Sequence, residues 1–250
     1  MSDTPHQEMS FFDHLGDLRS RMMKATAGIV VGCIVAGIYV QEIMDKILLR
    51  PVLVAGNAEH KLELQNIRPF GQAMLYFKVI FITGFILAFP WVLWNLWKFV
   101  APGLYENERG WARRITFFTT LCFALGVAFA YFVMIPSMME FSSQFGSTNV
   151  KNILEINEYF GFITTTILSG GLIFELPMIV YVLSRVGLVT PQLMRKFRRH
   201  SIVVILIIAA VLTPSPDPVN QVTFALPLYL LFEISIIISA MAVKKQENNA

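Results

Sequence analysis

Six long apolar runs, near 22–39, 73–99, 115–136, 160–184, 201–213 and 222–243, alternate with polar stretches along the 250-residue chain. About 20 predominantly apolar residues suffice to carry a helix across a bilayer, so the simplest reading is six transmembrane helices. The fifth run holds about 13 residues and covers about 20 Å at ~1.5 Å per residue, against a hydrocarbon core of about 30 Å. It is expected to be a short span or one arm of a re-entrant pair, and a short span would thin the bilayer around it. Pro90, Pro177 and Pro227 lie inside runs, where proline removes a ladder hydrogen bond; bent helices and a curved wall are predicted more readily than a tight bundle. The predicted fold class is therefore an all-α integral membrane protein, a single membrane domain over 1–250 with no internal repeat.

Composition agrees with this pattern: 55% of the residues are apolar, 15% are charged, and the mean hydropathy is +0.60, beyond the ~45–50% apolar usage of soluble domains. The net charge of +3 does not point to nucleic acid, because the bases gather at the ends of apolar runs. Arg19, Arg21, Lys24, Lys98, Arg109, Arg113, Arg114, Arg185, Arg195, Lys196, Arg198, Arg199, Lys244 and Lys245 fall in one set of alternate segments. Only Lys46, Arg50, Lys61, Arg68 and Lys151 fall in the other. Retention of bases on the inner side then predicts cytoplasmic N and C termini, with 44–72 a long outer loop. The polar, acid-containing first twenty residues do not read as a cleavable signal peptide. Cys33 and Cys122 sit within apolar runs and read as buried thiols.

Several polar residues stand out against the apolar background. Ser10 three residues before Asp13 resembles a capping box, and Phe11, Leu15, Leu18 and Met22 then recur on one helical face, leaving His14, Asp17 and Arg21 on the wetter side. Asp17 either pairs with Arg21 at i, i+4 or receives an external cation. The segment 101–109 carries Glu106 and Glu108 among bases. Such carboxylates can take a guanidinium bidentately, which an ammonium cannot imitate, or they can simply be neutralised by Arg109, Arg113 and Arg114. Glu175 and Glu233 lie within apolar runs, where an acid costs at least about 2.5 kcal/mol, so each calls for a partner or a function. Lys78 reads as a snorkelling base. The proline-rich turn 213–221 forms a periplasmic tip with Asp217 and Gln221, where Asp217 either caps the following helix or belongs to a functional polar site.

No phosphate-binding loop, nucleophile elbow, zinc helix or pair of intramembrane aspartates is present, so neither enzyme chemistry nor a cofactor is expected. The four histidines, His6, His14, His60 and His200, stand on separate polar flanks, which argues against a metal site. A proton-coupled solute transporter would also place acids in membrane helices, but inverted repeats are not found. An intramembrane hydrolase lacks a nucleophile and base.

Five motifs in order resemble the TatC family of the twin-arginine protein translocase: Phe12-Asp-His-Leu-Gly-Asp-Leu-Arg-Ser-Arg21, Phe99-Val-Ala-Pro-Gly-Leu-Tyr-Glu-Asn-Glu-Arg109, Phe129-Ala-Tyr-Phe-Val133, Phe174-Glu-Leu-Pro177, and Pro-Asp-Pro-Val-Asn-Gln221 leading to Leu226-Pro227. The resemblance implies six helices in a concave, glove-like wall, with short fifth and sixth helices. It also implies a receptor for twin-arginine signal peptides of folded cargo proteins. Glu108 and Asp17 would contact the arginine pair, with Arg19, Pro102, Leu104 and Tyr105 shaping that surface; Glu175 would meet helices of TatA- and TatB-type single-span proteins in an oligomeric complex. The family usually carries Glu where this chain has Asp17, so a shorter side chain has to reach the same cation. The resemblance further implies an inner-membrane location and transport energy drawn from the proton gradient.

Overall fold

Within the apolar runs the only way to satisfy every backbone N–H and C=O without water is an internal ladder, and the chain accordingly folds into long helices. The structure, a computed structural model, describes residues 11–55, 63–104, 109–144, 153–212 and 218–247. Helix α1 covers Phe11–Ile38. It is followed by a short α2 (Val40–Glu42), a π-helical stretch Ile43–Leu48, and α3 (Arg50–Ala55). Strand β1 (Glu63–Gln65) leads to α4 (Gly71–Leu104). Helix α5 (Arg109–Phe129) continues through a π-helical turn, Ala130–Met134, into α6 (Ile135–Gln144). Strand β2 (Ile153–Glu155) precedes α7 (Ile156–Ile173) and α8 (Leu176–Arg185), and the chain ends in α9 (Pro191–Lys196), α10 (Arg198–Leu212) and α11 (Pro218–Glu247).

Five stretches among the described residues are long and apolar enough to cross a membrane: Gly16–Ile38, Gly71–Phe99, Arg113–Ser142, Ile156–Arg185 and Phe224–Lys244. The fifth predicted run is helical too, but α10 has 15 residues and reaches only about 22 Å, short of a ~30 Å core. The sixth helix is not short: α11 has 30 residues, because nothing breaks the ladder between the apolar run and the polar Lys244 to Glu247 that follows. The all-helical expectation also needs amendment, since β1 and β2 pair in parallel, Leu64 opposite Leu154, and join the loop before α4 to the loop before α7. Of the three prolines, only Pro177 coincides with a break, at Phe174 and Glu175; α4 runs unbroken past Pro90 and α11 past Pro227.

Helices α1 and α4 pack antiparallel. Gly32 faces Gly84 so closely that a Cβ on Gly32 would strike the Gly84 carbonyl oxygen, and Trp91 Nε1 donates to the Lys24 carbonyl oxygen at 2.9 Å. Gly28, Gly32 and Ala36 recur every fourth residue, the spacing that lets two membrane helices bring their backbones together. On the other side of the bundle, Ser184 and Ser239 share a buried hydroxyl hydrogen bond of 2.7 Å between α8 and α11.

At the end of the bundle where the strands pair, Val40, Met44, Leu48, Val79, Ile135, Phe160 and Ile163 form one core cluster. Pro51 lacks the N–H that would serve the Ile47 carbonyl; the Tyr131 hydroxyl donates to it instead, at 2.8 Å. One residue on, the Tyr159 hydroxyl bridges a missing rung, donating to Leu48 O at 2.8 Å and accepting from Val52 N at 3.2 Å. Two tyrosines from distant helices thereby satisfy backbone groups that a proline would leave orphaned in an apolar setting.

Candidate functional site

The sequence singled out two carboxylate regions, and the helix packing decides what shares a neighbourhood with each. Asp17 and Arg19 stand in the first part of α1, Arg19 exposed and Asp17 half-buried. Asp17 accepts a 2.7 Å hydrogen bond from Arg21 Nε, which is the i, i+4 pairing. A partly exposed pair of this kind contributes little stability, up to about 1 kcal/mol, so it is readily exchanged for another cation.

Three α1–α4 contacts, Lys24 to Trp91, Gly32 to Gly84 and Gly37 to Ile80, descend along α4 as they climb along α1. Extrapolated toward the N terminus, the same register puts Asp17 level with about Trp97 and Lys98, one to two turns before the end of α4, from which the connection to α5 departs. Tyr105 and Glu108 belong to that connection and lie outside the described residues, as does Glu106. Nearby, the Lys98 ammonium lies over the Trp94 ring, 4.6 Å from its centroid.

Glu175 sits where α7 gives way to α8. It is 5% exposed, and neither carboxylate oxygen has a hydrogen-bond partner among the described residues. Its own backbone is not at fault: the Glu175 carbonyl accepts from Met178 N at 3.0 Å and Ile179 N at 2.9 Å, so Pro177 starts α8 in the first turn, where its missing N–H costs nothing. The side chain does not cap α8. Around this break, Phe174 packs against Phe129, with ring centroids 5.5 Å apart, and Gly126 on α5 lies against Gly170 and Gly171 on α7. A buried carboxylate without a donor is a high-energy arrangement in apolar surroundings, and it is the one acidic side chain among the described residues left in that condition.

The second intramembrane acid differs. Glu233 accepts from Arg198 Nη2 at 2.8 Å and from the Tyr229 hydroxyl at 3.0 Å, tying the first residue of α10 to α11. Its partner was not evident from spacing, because Arg198 lies 35 residues away. Gln221 likewise has a structural position: its amide Nε2 donates to the Leu206 carbonyl at 3.0 Å, linking α11 to α10. Asp217 lies outside the described residues. Arg185, counted in the sequence only as a topological base, is buried at 8% exposure beside the Ser184–Ser239 bond. Serines at 235 and 239, one turn apart on α11 and both buried, were the available signal that this face of α11 is turned inward. No cluster of metal-binding side chains is found among the described residues.

Long apolar helices closed by glycine contacts, with a buried acid at a helix break that has no partner among the described residues, define a polytopic helical membrane protein. Comparison with known proteins makes this more specific. Residues 13–227 match the family model "TatC: Sec-independent protein translocase protein (TatC)". The Sec-independent protein translocase protein TatC of Deinococcus radiodurans is 33% identical over 243 residues, 96% of this chain and 90% of that protein. The TatC of Carboxydothermus hydrogenoformans is 35% identical, covering 98% of each chain. A crystal structure of a twin arginine translocase receptor, TatC, superposes with a TM-score of 0.80 at 31% identity, covering 92% of this chain and 99% of that one. The chain belongs to the TatC family of Sec-independent protein translocase components, multi-pass proteins of the inner membrane.

Proposed function

We propose that this chain is the signal-peptide receptor of a twin-arginine translocase and that it works by binding, without catalysis. Twin-arginine peptides of folded cargo are captured at the end of the bundle shared by Asp17 and the connection carrying Glu108, with Arg19, Pro102, Leu104 and Tyr105 shaping the surface. The observation that carries this reading is the antiparallel α1–α4 register, which brings the Asp17 end of α1 to the end of α4 from which Glu108 follows. Asp17 is already engaged by a guanidinium, that of Arg21, so its setting accommodates this chemistry, and an incoming arginine exchanges for the resident one. Two carboxylates near an interface prefer arginine to lysine, because only the planar fork binds each of them bidentately.

The rest of the reading concerns assembly. Glu175, buried without a donor, is a polar site for the helices of TatA- and TatB-type single-span partners, whose docking would supply what the carboxylate lacks. The domain is one membrane unit of six helices in a concave wall, with α10 as a short span and both termini cytoplasmic, and transport draws on the proton gradient.

The test is binding of a fluorescent signal peptide to the full chain in nanodiscs, comparing Arg-Arg with Lys-Lys peptides. A charge-assisted hydrogen bond is worth about 1.5–3 kcal/mol, so Glu108→Gln is expected to weaken the Arg-Arg peptide by about 10- to 100-fold and to leave the Lys-Lys peptide little changed. Equal affinity for the two peptides in the wild type would refute the receptor reading.

A further inference from the structure

A groove of about 570 Å³ runs along the α1–α4 pair, and neither Glu175 nor Asp17 is among the residues that line it. Its floor is made by the small residues Gly28, Gly32 and Ala88, its walls by Val35 and Trp91, and Lys24 stands at one end. The floor is low for a specific reason. A Cβ on Gly28 would collide with the Trp91 ring, so the ring folds down over Gly28 and leaves the trough open beyond it.

The polar inventory of the groove is restricted. Trp91 Nε1 is already committed to the Lys24 carbonyl, and the remaining lining is aliphatic. Lys24 is exposed, and its neighbour on α1, Asp17, is engaged by Arg21 instead. From Lys24 to Val35 the groove follows about 16 Å of helix axis at ~1.5 Å per residue, close to one leaflet of a ~30 Å hydrocarbon core. An occupant therefore needs a negative group at one end and one leaflet's length of hydrocarbon that asks for no hydrogen bonds.

We infer that the α1–α4 groove is a binding site for an anionic glycerophospholipid, with its phosphate at Lys24 and an acyl chain lying along Val31, Val35, Leu87 and the Trp91 ring. A basic peptide segment does not suit it, because its cationic end would meet the Lys24 ammonium. A second helix, about 10 Å across with side chains, would have to ride on the rim formed by Trp91 and Val35 and leave the trough between them unfilled.

Native mass spectrometry of the full chain, released from detergent with phosphatidylglycerol or phosphatidylcholine of matched chains, tests this. One interfacial base contributes about 1 kcal/mol toward an anionic lipid, so the wild type should retain phosphatidylglycerol about fivefold better. Lys24→Gln, at an exposed position, should bring the two lipids level, whereas Lys98→Gln, which removes a base from α4, should leave the preference intact. Val31→Trp, which fills the trough from a residue 60% exposed, should reduce retention of both lipids. Equal retention by the wild type overturns the inference, and so does a preference that survives Lys24→Gln or that is lost in Lys98→Gln instead.

Discussion

Glu175 is a buried carboxylate whose oxygens find no partner among the described residues, and such a side chain opposes stability. An unsatisfied buried polar group costs about 1–3 kcal/mol, and replacing it with an apolar residue of similar volume removes that cost. Glu175→Leu is therefore expected to raise the apparent melting temperature of the isolated protein by a few degrees while reducing co-purification of TatA- and TatB-type partners. A variant that melts earlier would mean that the carboxylate is held by bonds this structure does not contain. Glu175 was legible in the sequence because an acid inside an apolar run is conspicuous. Asp17 was not resolved in the same way: spacing alone offered Arg21 or an external cation, and only the 2.7 Å contact identifies the resident partner. Arg198 with Glu233 was out of reach altogether, since no local pattern links residues 35 apart.

Among the helices and strands, the long apolar stretches were readable because their length has one structural solution in lipid. The breaks were less readable. A proline removes the same hydrogen bond wherever it occurs, yet α4 and α11 pass Pro90 and Pro227 while the helix stops before Pro177, so the surrounding packing decides the outcome. The recurrence of Gly28, Gly32 and Ala36 was present in the sequence and announces a close helix contact; the partner, Gly84, is named only by the structure. Strands of three residues carry too little periodicity to be seen. Their pairing nevertheless has a pH signature. Glu155 caps α7, accepting from Asn157 Nδ2 at 2.6 Å and from Glu158 N at 2.9 Å, and chiefly the Asn157 bond holds its carboxyl below the ordinary glutamate range. A carboxyl whose folded value is depressed stabilises the fold above its unfolded value, about 4.3, and that contribution fades as pH falls through the lower folded value. Protection of the amides at the β1–β2 junction, measured as the exchange rate relative to the base-catalysed intrinsic rate at each pH, should thus fall in acid. In Glu155→Gln the same amides should show no such step between neutral pH and pH 3.

For the molecule as a whole, the number of crossings fixes where the C terminus lies, and α10 is the element on which that number depends. With six spans the two termini share a side; with five they are separated. Asp217→Cys, placed in a chain whose Cys33 and Cys122 are changed to Ala, should react with an impermeant maleimide from outside intact cells, since six spans put the connection from α10 to α11 on that side. Labelling only after lysis would make α10 a re-entrant arm. A short span also predicts a preference for thin bilayers: thermal stability in nanodiscs should peak with lipids whose hydrocarbon is thinner than ~30 Å and decline as the chains lengthen.

The tyrosine repair of the Pro51 region carries a consequence for synthesis. Val52 and Tyr159 are 107 residues apart, and at ~5–20 residues per second a ribosome needs about 5–20 s to make the intervening chain. During that interval the Leu48 carbonyl and the Val52 amide have no protein partner at the missing rung. The segment 40–55 therefore has to wait in water or at the headgroups, where solvent can satisfy those groups, and it settles against the bundle only once the helix bearing Tyr159 has been inserted. The α1–α4 pair, whose glycine contacts all lie before residue 92, can close well before then, so the nascent chain acquires a docked helical hairpin first and its sealed loop last.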